Sequence, residues 1–134
     1  MKQDYNLMKS ILETMEDCEK PYIESYELAE KLGLLNRNTM QVLDDSKLND
    51  FIGHIYLLGD NRCIDSTAKN YGWQYNIHSC DYMGTNASYR MTAQGYEFLE
   101  MLRKKNIFEK IKGLTVPVAL EVGKSLLISK LTGQ

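Results

Sequence analysis

The sequence lacks the long apolar run that a membrane-spanning helix needs. Its most apolar stretch, 116–131, is interrupted by Glu121, Lys124 and Lys130. Each charge at a bilayer centre would cost about 2.5–3.5 kcal/mol on insertion scales. The first 19 residues contain five acidic side chains and no apolar segment leading to a cleavage site, so they do not resemble a secretory signal. We therefore expect no membrane association and no export.

Cysteine is scarce, and the three present, Cys18, Cys63 and Cys80, form no CxxC pair. An odd number of irregularly spaced cysteines indicates free thiols in a reducing compartment, so we expect a cytoplasmic protein. A zinc site built from His54, Cys63, His78 and Cys80 is the alternative. Only His78 and Cys80 are close in sequence, and structural zinc sites use tighter pairs. We expect ordinary packing and no metal.

Catalytic motifs are also missing. The sequence has no glycine-rich phosphate loop and no Cys/His pair accompanied by an orienting acid or an oxyanion-hole motif. No residue is therefore nominated for catalysis. We expect a binding module that has neither enzymatic activity nor a cofactor.

Positive charge is rare in most of the chain. The whole sequence carries 16 basic and 18 acidic residues, hence −2. Residues 1–102 hold 9 basic against 16 acidic residues, hence −7, and the remainder holds 7 against 2, hence +5. The acidic main part lacks the positive surface that supplies most non-specific affinity for nucleic acid.

Three amphipathic helices are predicted in the first half of the chain. The first has Asp4 as N-cap, and the second runs from a cap at Ser25 to Gly33. Residues 36–43 read as a connector. The third helix begins at a cap at Asp45 or Ser46, and its apolar stripe is Leu48, Phe51, Ile52, Ile55 and Leu58.

The middle of the chain changes character after Gly59. Short aromatic or β-branched runs at 63–66, 73–78 and 87–92 predict a small antiparallel sheet, with 68–86 as a long connection. Thr92 then caps a fourth helix, in which Gly95 permits close approach to the sheet. A short helix near 107–111 and a last helix after Thr115, with Pro117 in its first turn, complete the chain.

This order predicts an α+β fold of the winged helix-turn-helix type, with a small antiparallel wing sheet and additional C-terminal helices. The winged-helix domain would span 1–102. Residues 103–134 would form a helical extension that serves as a dimerisation element.

The segment Tyr89–Leu99 carries a resemblance to known proteins. A strand that ends in Tyr-x-Met-Thr and passes into a helix with Gly95 and Leu99 recurs in winged-helix proteins. Together with the opening 4–12 and the passage 54–58, the chain resembles the phage and prophage domain-of-unknown-function family twenty-five-thirteen. That resemblance implies a winged helix and a mobile-element origin, and it brings no catalytic residues.

Two partner classes, DNA and protein, remain open for the binding surface. On the third helix Asn49 could pair with adenine, but Asp50 and the acidic helix start would repel phosphates, and a solvated polar face is the simpler interpretation. The basic run 103–105 equally suits a solvated helix end. The candidate partner-binding residues are Lys47, Asn49, Gly53, Leu57, Arg62, Lys69, Arg90, Arg103, Lys104 and Lys105.

The last helix has apolar residues on two sides, more than one packing surface would cover. We therefore expect a homodimer, with one side on the core and the other on a second copy. The candidate interface residues are Val118, Ala119, Val122, Gly123 and Leu126.

Two functions follow from these patterns. The first is a DNA-binding transcriptional regulator of phage or prophage type, which the usual employment of the fold favours. The second is a protein-binding adaptor, or an inhibitor of a host factor, which the acidic third helix favours.

Overall fold

The computed structural model describes residues 1–79 and 81–131. Its class is α+β, with six helices and short antiparallel strands in those ranges. The helices are α1 (Tyr5–Glu16), α2 (Ser25–Lys31), α3 (Asp45–Asp60), α4 (Ala93–Arg103), α5 (Lys105–Ile111) and α6 (Val116–Leu131). The strands are β1 (Ile23–Glu24), β2 (Leu35–Asn36), β3 (Gln41–Val42), β4 (Ile64–Ser66), β5 (Trp73–Asn76), β6 (Asp81–Gly84) and β7 (Ser88–Met91), and Lys69–Gly72 forms a 3-10 turn.

Strand β7 is the centre of a three-stranded antiparallel sheet ordered β1-β7-β4. Ile23 pairs with Tyr89 on one side, and Ile64 pairs with Met91 on the other. Two separate hairpins join β2 to β3 and β5 to β6. The sequence prediction placed 73–78 in the same sheet as 63–66 and 87–92. That part was wrong, because β5 pairs only with β6 in the described chain.

The apolar stripe of α3 lies in the core, as predicted. Phe51 and Ile55 are fully buried in the same cluster as Tyr89 of β7. His54 of the same helix is also buried. It accepts a hydrogen bond at Nε2 from the backbone N–H of Asp4 (2.8 Å), so its other nitrogen, Nδ1, donates to the carbonyl of Asp50 (2.6 Å).

Two helix starts were predicted correctly. Asp4 accepts hydrogen bonds from the backbone N–H groups of Asn6 and Leu7 (2.9 and 3.2 Å), and Thr92 accepts from Gly95 (3.1 Å). The close approach at Gly95 is also confirmed, because a Cβ there would overlap the carbonyl of Cys63. A methyl group has no room between this helix and the chain entering β4.

Two other helix starts were predicted wrongly. Ser25 is the first residue of α2 rather than its cap; its hydroxyl instead accepts from the backbone N–H of Ala87 (2.9 Å) and so links α2 to the approach to β7. For α3 the cap is Asp44, which accepts from Lys47 N–H (3.0 Å). In both places several polar residues compete for the cap, and tertiary contacts select one.

The C-terminal helices share the core of the preceding elements. Ile107, Ile111 and Leu120 are buried in the same cluster as α1 and α4. The Tyr5 hydroxyl donates to the carbonyl of Leu114, which ties α1 to the turn before α6. Helices α5 and α6 therefore pack against the first 102 residues rather than apart from them. In the described ranges, none of the helices combines the length and apolarity required to cross a bilayer.

Candidate partner-binding surfaces

The β2–β3 hairpin and the first turns of α3 expose apolar and acidic side chains together. Met40 and Leu43 are 47% and 56% exposed, and Val42 between them is exposed as well. Asp45 and Asp50 are exposed on the helix that follows. We call these five residues the docking face.

Local hydrogen bonds hold the hairpin turn in place. The Asn36 side chain accepts from the backbone N–H groups of Asn38 and Thr39 (3.0 and 3.3 Å), and Leu43 N–H donates to the carbonyl of Leu34 (2.9 Å). Met40 adopts a positive φ of 57° in this turn. Such backbone costs a non-glycine residue about 1–2 kcal/mol, yet the position carries an exposed apolar side chain.

Only the first turns of α3 are open to a partner. Lys47 and Asn49 are exposed as predicted, whereas Gly53 and Leu57 are half-buried. The thioether of Met1 lies directly over Gly53, where a Cβ would overlap it. The prediction that Gly53 and Leu57 face outward was made from helical angle alone, and it omitted the N-terminal residues that lie across the helix.

The last turns of α3 are covered by the 3-10 turn. The Tyr71 ring lies over Gly59, where a side chain would overlap it. The Tyr56 hydroxyl donates to the carbonyl of Trp73 (2.5 Å) and lies 3.1 Å from that of Asn70. The exposed residues of α3 therefore lie mostly within 45–50, and they include two aspartates and one lysine there.

Three of the predicted cationic candidates are neutralised by carboxylates. Arg90 contacts Asp65 at 2.7 Å, and Arg103 bridges Glu13 and Glu16 on α1 at 3.3 and 2.6 Å. The hydrogen bonds that the Arg103 guanidinium donates to the Glu16 carboxylate are the main reason that the pKa of Arg103 is raised. Lys104 pairs with Glu100 at 3.0 Å. Of the predicted basic run, only Lys105 has no ion pair within the described ranges.

Arg62 and Lys69 line one cleft between the end of α3 and the 3-10 turn. Its volume is about 410 Å³, and Asp65, Ser66 and Tyr71 also line it. Neither cation has an ion pair among the residues that the structure describes. We call this the Arg62–Lys69 cleft.

The predicted dimer residues lie on different sides of α6. Ala119 is fully buried, and a Cβ at Gly123 would overlap the side chain of Met101 on α4. These two small residues therefore permit close packing within the chain. Val118 is exposed, and Val122 and Leu126 are half-buried, so these three remain available to a second copy.

The residues of the alternative zinc site do not come together in the described part of the chain, where no three His, Cys, Asp or Glu side chains are grouped for a metal. His54 uses both ring nitrogens within the core. Burial raises the pKa of Cys63 to about 12. Cys80 lies outside the described residues.

Comparisons of this chain with protein-family models, with curated proteins and with solved structures found no match. The resemblance to the phage and prophage family therefore stays a prediction.

The apolar part of the docking face was not predicted from the sequence. Residues 36–43 were expected to form a connector, although Met40, Val42 and Leu43 are apolar residues placed beside turn-forming asparagines and a threonine. Consecutive apolar residues at 42–43 directly before an acidic helix start were the available signal. The pattern was too short to distinguish a buried strand from an exposed one.

Proposed function

We propose that this chain is a non-enzymatic, cytoplasmic module of winged-helix type that binds a protein partner through its docking face. The order α1, β1, α2, α3, β4, β5–β6 hairpin and β7, with the β2–β3 hairpin inserted between α2 and α3, and the sheet order β1-β7-β4 support the winged-helix assignment. The free, non-disulfide thiols Cys18 and Cys63 support the location.

The composition of the docking face carries the proposal. Exposed apolar groups bordered by charge are typical of protein-interaction surfaces, and the exposed Met40, Val42 and Leu43 directly precede, in sequence, the helix start that exposes Asp45 and Asp50. The first turns of α3 are where a winged helix would approach DNA. Here carboxylates would meet phosphates, which is repulsive, whereas a protein with basic and apolar groups would meet complementary chemistry.

The backbone of the hairpin gives a second reason. Met40 has a left-handed conformation in which glycine or asparagine would be less strained. Because its side chain is 47% exposed, core packing does not explain the choice. Contact with a partner would bury the thioether, a side chain that adapts well to uneven protein surfaces.

The test is capture of a partner by immobilised wild type and variants, followed by calorimetry with the purified partner. Leu43→Ser should weaken binding about tenfold, since burying the exposed part of a leucine contributes roughly 1–1.5 kcal/mol. Asp45→Lys should weaken it further at low salt by reversing a charge. Tyr96→Ser and Glu19→Lys are matched controls, exposed and away from the docking face in sequence. Equal retention by all variants would contradict the proposal, as would recovery of nucleic acid without a stoichiometric protein.

A DNA-binding regulator of phage or prophage type is the second candidate. Lys47 and Asn49 favour it, because both are exposed on the first turns of α3, where a cation can contact phosphate and an amide can contact adenine. A homodimer formed through Val118, Val122 and Leu126 would suit this candidate, since paired half-sites require two-fold symmetry.

A further inference from the structure

Several residues that line the Arg62–Lys69 cleft have a strained backbone conformation. Four non-glycine residues of the described chain have positive φ, namely Met40, Arg62, Asn70 and Tyr71. Three of these four line this one cleft. Backbone of this kind costs energy and persists where the surroundings enforce it, most often at ligand clamps and other functional sites.

Buried aromatic residues enforce the conformation of the 3-10 turn. Tyr89 is fully buried, accepts a hydrogen bond from Trp73 Nε1 (3.0 Å) and donates to the carbonyl of Tyr71. The Tyr56 hydroxyl of α3 lies between two carbonyls at this turn, and donates to that of Trp73 (2.5 Å) with that of Asn70 at 3.1 Å. These hydrogen bonds from the core thus hold the backbone of Asn70 and Tyr71 in the left-handed conformation, and both residues line the cleft.

At Arg62 the strain has a different origin, because this residue ends α3 at a position that favours glycine. Its N–H donates to the carbonyl of Gly59 (3.0 Å), and the next N–H, of Cys63, donates to Leu58 (2.8 Å). These two bonds form a Schellman motif, in which glycine is usual. An arginine there lowers the free energy of unfolding, and its exposed side chain makes no core packing that would offset the loss.

The donors of the cleft are uncommitted. Arg62 is the one arginine of four that has no ion pair within the described ranges. Lys69 is likewise unpaired there, and the Tyr71 hydroxyl has no hydrogen-bond partner among the described residues. Burial raises the pKa of Tyr71, and the nearby carboxylates Asp60 and Asp65 raise it further. The phenol therefore keeps its proton and remains a donor.

We propose that the Arg62–Lys69 cleft binds the phosphate group of a phosphate ester, with Arg62, Lys69 and Tyr71 as donors. Guanidinium and ammonium groups are the usual protein ligands of phosphate. The volume of about 410 Å³ leaves room for a small phosphate ester. A nucleic-acid backbone presents the same group. This proposal uses none of the docking-face residues, so it stands or fails independently of the proposed function.

The test is an NMR titration of the isotope-labelled full chain at low salt. The probes are inorganic phosphate, adenosine monophosphate, adenosine as the phosphate-free control, and a short DNA duplex. We expect saturable shifts of the Arg62 Nε–H and of the 69–71 amides with the two phosphates and none with adenosine. Arg62→Gln should weaken binding about tenfold, the loss of a charge-assisted contact, and Tyr71→Phe several-fold. Lys105→Gln, which removes an exposed unpaired lysine elsewhere, should have no effect.

Each remaining outcome is decisive. Shifts at the same residues with duplex but not with adenosine monophosphate would support the cleft and assign the phosphate to a nucleic-acid backbone. Absence of shifts with every probe at millimolar concentration would overturn the proposal. So would equal weakening by Lys105→Gln, since binding would then follow net charge rather than the cleft.

Discussion

Replacing Arg62 by glycine should stabilise the protein even though it removes a charged side chain. Arg62 has a φ of 59° and follows the last turn of α3 in a Schellman motif. Helix α2 ends in the same motif: Gly33 N–H donates to Glu30 (2.9 Å), and Leu34 N–H donates to Ala29 (3.0 Å). Gly33 has a φ of 76° there. The chain therefore contains one motif twice, once with the favoured residue and once without it.

The magnitude follows from two opposing terms. A side chain in left-handed backbone costs about 1–2 kcal/mol, whereas glycine loses about 0.5–1 kcal/mol more conformational freedom on folding. Arg62→Gly should therefore raise the free energy of unfolding by about 0.5–1 kcal/mol. Gly33→Ala should lower it by a similar amount, because a Cβ at Gly33 meets no atom within 4 Å and only the conformational term changes.

Urea unfolding followed by circular dichroism measures both changes. For an m-value of about 1–3 kcal/mol/M, the midpoint should rise by a few tenths of a molar for Arg62→Gly and fall as much for Gly33→Ala, with m unchanged. A lower midpoint for Arg62→Gly would contradict this prediction, because the arginine side chain would then stabilise the fold by more than its left-handed backbone destabilises it.

The remaining predictions concern packing, thiol reactivity and assembly. Gly95→Ala should destabilise the protein by about 2–3 kcal/mol despite the better helix propensity of alanine, because the methyl group would overlap the carbonyl of Cys63; Gly113→Ala, which meets no atom within 4 Å, should shift the same urea midpoint far less. Iodoacetamide at pH 8 should alkylate Cys18 well before Cys63, since burial raises the pKa of Cys63 to about 12 and keeps its thiol protonated; equal rates by peptide mass spectrometry would mean that this part of the core opens readily. Light scattering should give twice the chain mass of 15.5 kDa for the wild type, and the mass of a monomer for Val118→Asp; a monomer mass for the wild type at high concentration would contradict the predicted dimer.

Much of the fold could be predicted from local pattern. In α3 and in the strand before Thr92, apolar residues recur with the period of a helix and of a strand, so both elements could be assigned without knowing what packs against them. Asp4 and Thr92 are correct helix caps for the same reason, because capping depends on residues within one turn. Because each of these elements has one apolar face to bury, we could also expect them to pack around one core.

Non-local contacts explain what the sequence could not provide. Strand β1 has two residues, too few for any periodicity, and only its pairing with β7 makes it a strand. Met1 lies over Gly53, one of the residues that helical angles assign to the outward face of α3, and Tyr71 lies over Gly59 near the end of the helix. Neither contact leaves a trace in the spacing of the residues involved.

The candidate site was predictable only in part. Lys47, Asn49, Arg62 and Lys69 are exposed as expected. The three cations among them could not be distinguished from the ion-paired Arg90, Arg103 and Lys104 before the carboxylate partners of the latter were located. Those partners are distant in sequence for the two arginines. The positive φ values that mark the cleft are likewise a product of the surrounding core.

We propose that the exposed start of α3 contacts protein rather than DNA. The decisive measurement is the fluorescence anisotropy of a labelled DNA duplex titrated with the wild type and with Lys47→Gln/Asn49→Ala at low salt. We predict no binding at micromolar protein that depends on these two residues, because Asp45 and Asp50 flank them. Saturable micromolar binding that the double variant abolishes would contradict the claim.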